Sequence, residues 1–369
     1  MDKDFYYLWL TTLVRVSLYK LHACLDIFGS PKALFDAKEQ DLMELTPLTA
    51  AERSQILSAR NRQEAARIFE KTGPESCQFI SRIHPAYPRR LRELRDAPFG
   101  LYIKGSLPPE DRPAVAVIGA RNSTIYGREL AYHMARELAE TGMVIVSGLA
   151  AGIDGAGHRG CLDAGGYTLG ILGSGIHVVY PKENYRLYQE MERRGGILSE
   201  YPPDTKPLPM LFPRRNRIIS MLSDFVLVVE AREKSGSLIT ADFALEQGKD
   251  IGAVPGRPCD PLSIGCNRLI QQGAKCILSP EDIVEEFKTV SLKSGLNQKR
   301  EHTNLELGLA PKEKMVYSCL RLEPSFIDEI LCQLDLPAWE GIQLLTELEI
   351  KGIIKQYPHH YYYKIYNGE

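Results

Sequence analysis

Seven short apolar runs between residues 113 and 288 constrain the fold most, and helical patterns separate them. A strand that is apolar on both faces has to be covered on both sides, as in a parallel sheet packed between two layers of helices. These residues therefore predict an α/β domain built on an extended Rossmann-like parallel sheet. The runs are AVAVIGA, MVIVSG, YTLGILG, GGILSE, FVLVVEA, DIGAVPG and AKCIL.

Further regions are predicted on both sides of this domain. Residues 1–75 have apolar residues at three- and four-residue spacing, which predicts a small helical domain; it could contact a DNA backbone or serve only packing and protein contacts. Residues 76–112 form a connecting segment with one strand at GLYIKG. Residues 289–307 are polar and aperiodic, as in a linker. Residues 308–369 have the pattern of a winged helix, with three helices and a terminal hairpin.

Composition limits the function classes. The 45 Lys and Arg residues are balanced by 47 Asp and Glu residues, so a nucleic-acid or phosphate site has to be a local patch. The eight cysteines form no paired CxxC motifs, which argues against a zinc site and favours a reducing compartment. The sequence shows no secretory signal and no apolar run of the roughly 20 residues that span a bilayer, so we expect a cytoplasmic protein.

Ligands of parallel α/β sheets bind outside the carboxyl ends of the strands. The first such loop, VIGARNSTIYG, has Arg121 where the second glycine of GxGxxG would let a pyrophosphate approach, so no NAD or FAD cofactor is predicted. Gly119 and Ala120 could form a backbone nest that, with Arg121, suits a single phosphate. The alternative is a tight turn with Arg121 in a structural ion pair.

Two further loops, SGLAAGID and LGSGIHVVYPKENY, carry small residues that would open backbone amides to phosphate. Tyr180 or Tyr185 could stack on a base, which contributes about 1–3 kcal/mol per base and requires that the base be unpaired. This combination favours a single strand over a duplex. The candidate residues here are Ser147, Gly148, Gly173, Ser174, Gly175, Lys182, Asn184 and Tyr185.

The stretch FPRRNRIIS places three arginines near the start of a predicted helix, where the helix dipole disfavours cations, so an anion is expected to compensate them. A solvated basic face or internal salt bridges are the alternatives. The serines before the next helix could bind phosphate, although capping alone would explain them. The candidate residues are Phe212, Arg214, Arg215, Asn216, Arg217, Ser235, Gly236 and Ser237.

No catalytic or metal-binding constellation is evident in the sequence. The histidines are scattered, and His158 is more typical of a satisfied polar residue than of a base. Asp154 could be a helix N-cap or a functional acid. Glu230, at a strand end, is the one residue that could serve hydrolytic chemistry.

Read in order, the segments GARNSTIYG, SGLAAGID, LGSGIHVVYPKEN, FPRRNRIIS, VVEAREKSGSLITADFALEQGKDIGAVPG and GCNRLIQQGA resemble the DprA/Smf family of DNA-processing proteins. The resemblance extends over the whole chain, because the N-terminal segment is similar to that family's SAM-like domain and the C-terminal segment to its winged-helix domain. It implies a cytosolic protein without enzymatic activity that binds and protects incoming single-stranded DNA.

The resemblance also implies a homodimer formed through the Rossmann-like domain and loading of the RecA recombinase during natural transformation. Its DNA pocket would contain Arg121, the GSG loop at residues 173–175, Lys182 and the arginines of PRRNR. Ala151 departs from the family pattern, since many relatives have an arginine before the GID triplet. The pocket would therefore be less positive in this chain.

The sequence leaves two other functions open, a phosphoribohydrolase and a duplex-binding regulator. Some Rossmann-like proteins are nucleoside monophosphate phosphoribohydrolases, but their PGGxGTxxE loop is absent, since the corresponding region reads EAREKSGSLITA. Alternatively, the C-terminal domain could bind duplex DNA as a regulator. Its candidate recognition helix, AWEGIQLLTELEIKG, is acidic and matches a phosphate backbone poorly, which favours protein contact instead.

Overall fold

The computed structural model describes residues 3–43, 48–73, 76–92, 94, 96–291, 309–321, 324–334, 336–357 and 360–364. In these ranges, a large sheet between two layers of helices is preceded by a helical region and followed by a smaller α/β region. None of the described helices is both long and apolar enough to cross a bilayer.

The N-terminal region contains short helices. They are α1 (Lys3–Thr12), α2 (Leu18–Phe28), α3 (Pro31–Asp36), α4 (Glu39–Met43), α5 (Ala50–Ser58) and α6 (Arg62–Glu70). Gly29 ends α2 in the left-handed conformation, and Ser30 caps α3. Trp9 and Phe35 pack edge to face in the core, with ring centroids 5.0 Å apart. The name SAM-like for this region stays a prediction.

The central sheet has nine strands within the described ranges. They are β1 (Gln78–Ser81), β2 (Gly100–Gly105), β3 (Ala114–Ile118), β4 (Val144–Ser147), β5 (Thr168–Ile171), β6 (Gly196–Ser199), β7 (Phe225–Val228), β8 (Asp250–Ala253) and β9 (Lys275–Cys276). Their order is β1-β2-β6-β5-β4-β3-β7-β8-β9, and all neighbours from β6 to β9 run parallel. These seven parallel strands match the seven apolar runs, which confirms the predicted fold class.

Two antiparallel strands extend the sheet beyond β6. β2, predicted at GLYIKG, places Tyr102 opposite Ser199 of β6, and β1 then places Phe79 opposite Tyr102. The sequence pattern misses β1, because its four residues are too few to show an alternation. Segment 76–112 thus adds two strands to the sheet. The exact domain boundaries stay a prediction.

Helices cover both faces of the sheet. They are α7 (Arg89–Arg92), α8 (Ile125–Glu140), α9 (Ile153–Asp163), α10 (Tyr185–Arg194), α11 (Leu211–Met221), α12 (Gly236–Glu246), α13 (Ile264–Gln271) and α14 (Pro280–Ser291). Successive side chains of a strand point to opposite faces. In β3, Val115 and Val117 therefore pack with residues of α8 and α9, whereas Ala114 and Ala116 pack with residues of α11 and α12.

The C-terminal region contains α15 (Pro311–Cys319), α16 (Ile327–Leu331), α17 (Ala338–Ile350), β10 (Ser325–Phe326), β11 (Ile354–Tyr357) and β12 (Tyr361–Lys364). The predicted helices and terminal hairpin are present, and β10 adds a third strand in the order β10-β12-β11. The Tyr363 hydroxyl donates to Glu129 of α8 over 3.3 Å. The winged-helix name stays a prediction. Residues 292–307 of the predicted linker lie outside the described residues.

Candidate nucleic-acid interface

The strand order brings the predicted binding loops to one edge of the sheet. From β3 the chain proceeds through β4, β5 and β6 in one direction, and β7 then lies on the other side of β3. The boundary between β3 and β7 is thus the point where the strand order reverses, which is where open α/β sheets bind their ligands. The loops at this edge are residues 119–124, 148–152, 172–181 and 229–235.

Three side chains form a partly exposed cluster at this edge, which we call the platform: Arg121, Phe212 and Tyr180. The guanidinium carbon of Arg121 lies 4.8 Å from the centroid of the Phe212 ring, a cation–π distance. The Tyr180 ring contacts Phe212 at a tilt of 44° with centroids 5.5 Å apart, and Tyr180 is 42% exposed. Gly173 makes room for Phe212, because a Cβ there would come within 2.7 Å of the ring.

Two other predicted residues are exposed close to Tyr180 along the chain. Lys182 begins a 3₁₀ turn (Lys182–Asn184), and Tyr185 follows as the first residue of α10. Tyr185 is 53% exposed, and its hydroxyl accepts a hydrogen bond from Gln189. A cation and a free ring face are therefore available to a ligand that extends from the platform.

The rest of the GSG loop is held by the chain itself. Ser174 is buried, and its carbonyl accepts a hydrogen bond of 2.6 Å from the Ser199 hydroxyl. The Gly175 amide donates to the Thr205 carbonyl over 2.8 Å. These bonds hold the loop in place. The sequence predicts phosphate contacts for the same two residues.

Two more of the predicted residues, Ser147 and Asn184, form hydrogen bonds within the chain. Ser147 is fully buried, and its hydroxyl donates to the Val117 carbonyl over 2.6 Å. The Asn184 side-chain amide donates to the carbonyls of Leu149 and Ala150, each over 3.0 Å. These bonds tie the loop after β4 to the turn that begins α10.

Arg215 is buried at the strand ends, with only 3% of its surface exposed. Its Nη1 donates to the carbonyls of Gly148 and Ile171, the residues at the ends of β4 and β5. The Gly148 amide donates to Oδ2 of buried Asp154 over 3.1 Å. Burial lowers the pKa of Arg215 to about 10, with Asp154 opposing that shift. Burial also raises the pKa of Asp154, against the effect of Arg215.

The other arginines of α11 face different partners. The helix begins at Leu211, so these arginines lie in its first two turns. Arg214 donates to the Val14 carbonyl of the N-terminal region over 2.6 Å. Arg217 forms a buried ion pair with Glu200, which is the internal salt bridge kept as an alternative. Both arginines therefore bond to partners within the chain and not at the loops of the platform.

The start of α12 matches the capping alternative. Ser235 is the N-cap, its hydroxyl accepting from the Ser237 amide over 3.4 Å and lying 2.8 Å from the Ser237 hydroxyl. Asn216 donates to the Gly236 carbonyl over 3.1 Å and accepts from Nε of Arg215 over 3.2 Å. Asn216 therefore links Arg215 to α12.

Glu230 occupies the N-terminus of α8. Its carboxylate accepts from the backbone amide of Thr124 over 2.9 Å and from the Thr124 hydroxyl, and Thr124 is the N-cap of this helix. A Cβ at Gly127 would come 2.2 Å from the Glu230 carboxyl carbon, so the glycine is required for this approach. Gly119, predicted in a phosphate nest, lies against Ile153, 2.7 Å from an added Cβ. The chain thus supplies its own anion at this helix end.

The remaining candidate groups for catalysis are enclosed. His158 is fully buried, and its Nδ1 lies 2.6 Å from the Thr168 hydroxyl. Burial lowers the pKa of His158 to about 3, with Arg215 contributing, so the imidazole is neutral at pH 7. Asp154 lies in the first turn of α9, whose N-cap is Gly152. Among the described residues, no group of three or more His, Cys, Asp or Glu side chains could hold a metal.

Together these features define an α/β protein of the Rossmann-like class whose strand ends present a guanidinium and aromatic rings. The model of the DNA recombination-mediator protein A family matches residues 78–288, more than half of the chain. The chain belongs to that family. The resemblance to DprA/Smf proteins is thereby confirmed.

Curated relatives agree with this assignment. The chain is 33% identical to Protein Smf of Synechocystis over 334 residues, which cover 82% of this chain and 84% of the relative. It is 48% identical to DNA processing protein DprA of Bacillus subtilis over 202 residues, which cover 54% and 68% of the two chains.

Two solved structures share the fold. DNA processing protein A from Streptococcus pneumoniae matches with a TM-score of 0.58 and 39% identity over 63% of this chain and 82% of the other. A structure describing the single-stranded DNA binding mode of DNA processing protein A from Helicobacter pylori matches with a TM-score of 0.52. That alignment has 32% identity and covers 58% of this chain and 97% of the other.

Sequence reasoning did not identify the counter-charges of α11. Glu200 and Asp154 are both buried beside arginines, and Glu200 directly follows the apolar strand GGILS. A buried carboxylate requires a partner, so an acid directly after an apolar strand signals a buried donor, which is Arg217 for Glu200 and Thr124 for Glu230. The sequence offers Tyr180 and Tyr185 as alternatives for stacking, and in the structure Tyr180 contacts Phe212.

We expect Glu230→Ala to destabilise the protein by about 1–2 kcal/mol, because the Thr124 amide and hydroxyl lose their acceptor at the start of α8. Urea denaturation monitored by circular dichroism measures this loss. Glu246→Ala, at the exposed end of α12, is the matched control and should stay within about 0.5 kcal/mol of the parent. Equal stability of Glu230→Ala and the parent would contradict the capping role.

Proposed function

We propose that this chain binds single-stranded DNA at the carboxyl edge of its central sheet, with the platform as the main contact. The observation that carries this proposal is the cluster of Arg121, Phe212 and Tyr180 at the point where the strand order reverses. Lys182 and Tyr185 extend the surface. A guanidinium binds phosphate well, and an exposed ring offers a stacking face to any base.

The chemistry favours an unpaired strand. Tyr180 and Tyr185 are 42% and 53% exposed, and their rings can stack only on bases that are not covered by neighbours in a duplex. Phosphate contacts position a strand without reading its sequence, so we propose weak sequence preference. The Helicobacter pylori relative is described as binding single-stranded DNA, which supports the same ligand here.

We propose that the protein acts by binding and not by catalysis. Glu230, the residue considered for hydrolysis, has its carboxylate engaged by Thr124 at the start of α8. His158 is buried and Arg217 is paired with Glu200, so neither is presented at the platform. This supports binding over the phosphoribohydrolase alternative. Binding would protect incoming DNA in the cytoplasm during natural transformation.

Two substitutions separate phosphate contact from stacking. We expect Arg121→Gln to weaken binding of an oligothymidine and to reduce the slope of log K against log salt by about 0.7, the value for one lost contact to a single strand. Tyr180→Ala should lose about 1–3 kcal/mol of binding free energy with an unchanged slope, because Tyr180 presents an exposed ring and stacking releases no counterions. Salt-titrated fluorescence anisotropy measures both.

Arg112→Gln is the matched control, since Arg112 is exposed and lies just before β3, at the opposite edge of the sheet. It should bind as the parent does. If Arg121→Gln and Tyr180→Ala also bind as the parent does, the DNA site lies elsewhere on the molecule.

We further propose that the bound strand is passed to the RecA recombinase, as the family description of recombination mediator suggests. We expect the protein to accelerate RecA assembly on DNA already coated by a single-strand-binding protein. Arg121→Gln, which weakens the proposed DNA contact, should lower that acceleration. RecA-dependent ATP hydrolysis on coated DNA measures it, and a rate unchanged by the parent protein would exclude the loading role.

We propose a homodimer formed through the β9 edge of the central sheet. The edge strand β9 leaves backbone groups available, and exposed apolar side chains lie nearby on α12 and after β9, Leu245 at 61% and Leu278 at 66% exposure. We expect the double substitution Leu245→Glu and Leu278→Glu to convert a dimer into a monomer in light scattering. Ile27→Glu, equally exposed on α2, should stay dimeric. A parent that is monomeric at micromolar concentration would contradict the proposal.

A further inference from the structure

Arg215 has two features that an arginine in contact with a DNA phosphate would not have. Only 3% of its surface is exposed, and its guanidinium donates to two backbone carbonyls, those of Gly148 and Ile171. A cation that binds a mobile strand has to be reached from solvent, as Arg121 can be. The sequence gives both arginines the same role, whereas the structure separates them into an exposed and a buried group.

The bonds of Arg215 fix the parts that form the platform. Ile171 is the last residue of β5, and the loop that follows carries Gly173, on which the Phe212 ring lies. Arg215 itself is three residues from Phe212 on α11, so the two side chains project from the same side of the helix. Holding Arg215 to the end of β5 therefore fixes the helix and the loop between which Phe212 lies.

A second charge completes this arrangement. Gly148 lies between Arg215 and Asp154, because a Cβ there would be 2.6 Å from Nη2 of the arginine and 2.7 Å from Oδ2 of the aspartate. Asp154 is 6% exposed and receives the Gly148 amide. The exposed Arg121 is close enough to lower the pKa of Arg215. The buried pair thus lies within electrostatic range of the platform's own cation.

We propose that Arg215 is a positioning residue for single-stranded DNA binding, and that Asp154 is its counter-charge and limits the positive potential of the site. This inference rests on the proposed function and goes beyond it, because it assigns two buried residues to the affinity of an exposed surface. Asp154 should weaken DNA binding, since its charge opposes that of the phosphates.

The test is a salt titration of oligothymidine binding with the parent and the variants Arg215→Gln, Arg215→Lys and Asp154→Asn. Arg215→Gln should bind about tenfold more weakly with the slope of the parent, because charge-assisted support is lost and no phosphate contact is removed. Arg215→Lys, which keeps the charge and can still donate to the carbonyls, should recover most of that loss. Asp154→Asn should bind about two- to fivefold more tightly.

The outcomes distinguish this inference from the proposed function. If the parent does not bind oligothymidine, the proposed function fails. If the parent binds and Arg215→Gln reduces the slope as much as Arg121→Gln does, Arg215 contacts phosphate and the positioning role is wrong. Thermal melting shows which variants fold. Should Arg215→Gln not fold, Asp154→Asn decides alone, because a merely structural role cannot make binding tighter; unchanged or weaker binding would overturn the inference.

Discussion

The carboxyl edge of the central sheet depends on one buried guanidinium. Arg215 donates to the backbone carbonyls of Gly148 and Ile171, where β4 and β5 end. Asn216 extends the same connection to the first residue of α12. A buried cation is costly to desolvate, and here carbonyl dipoles and nearby Asp154 offset that cost. The buried contacts of Arg215 therefore hold in place the loops that carry the platform.

The fold could be predicted from the sequence because the same strand pattern occurs seven times. Seven runs such as AVAVIGA and FVLVVEA are apolar on both faces, and only a covered parallel sheet accommodates that pattern. The short strand β1 carries no comparable repetition. The sequence predicts that Arg121, Lys182 and Tyr185 contact DNA, and the structure exposes each of them at the carboxyl edge of the sheet. Their contact with DNA stays a prediction.

The roles of the α11 arginines could not be read from the sequence. Three-residue spacing places Arg214 and Arg217 on one side of the helix, but it does not show what lies opposite that side. The partner of Arg214, Val14, is distant in sequence, and the partner of Arg217, Glu200, follows strand β6. A cluster of cations in a sequence thus predicts anions nearby without telling whether those anions belong to a ligand or to the protein.

Glu230 gives the central domain a property that Rossmann-like folds with a nucleotide cofactor lack. In those folds the first helix after the first parallel strand directs its partial positive charge at a bound pyrophosphate. Here the glutamate carboxylate takes that place and receives the Thr124 amide, with Gly127 leaving room for it. The electrostatics of this helix are satisfied within the polypeptide. The folded state therefore does not depend at this point on how much nucleotide the cell contains.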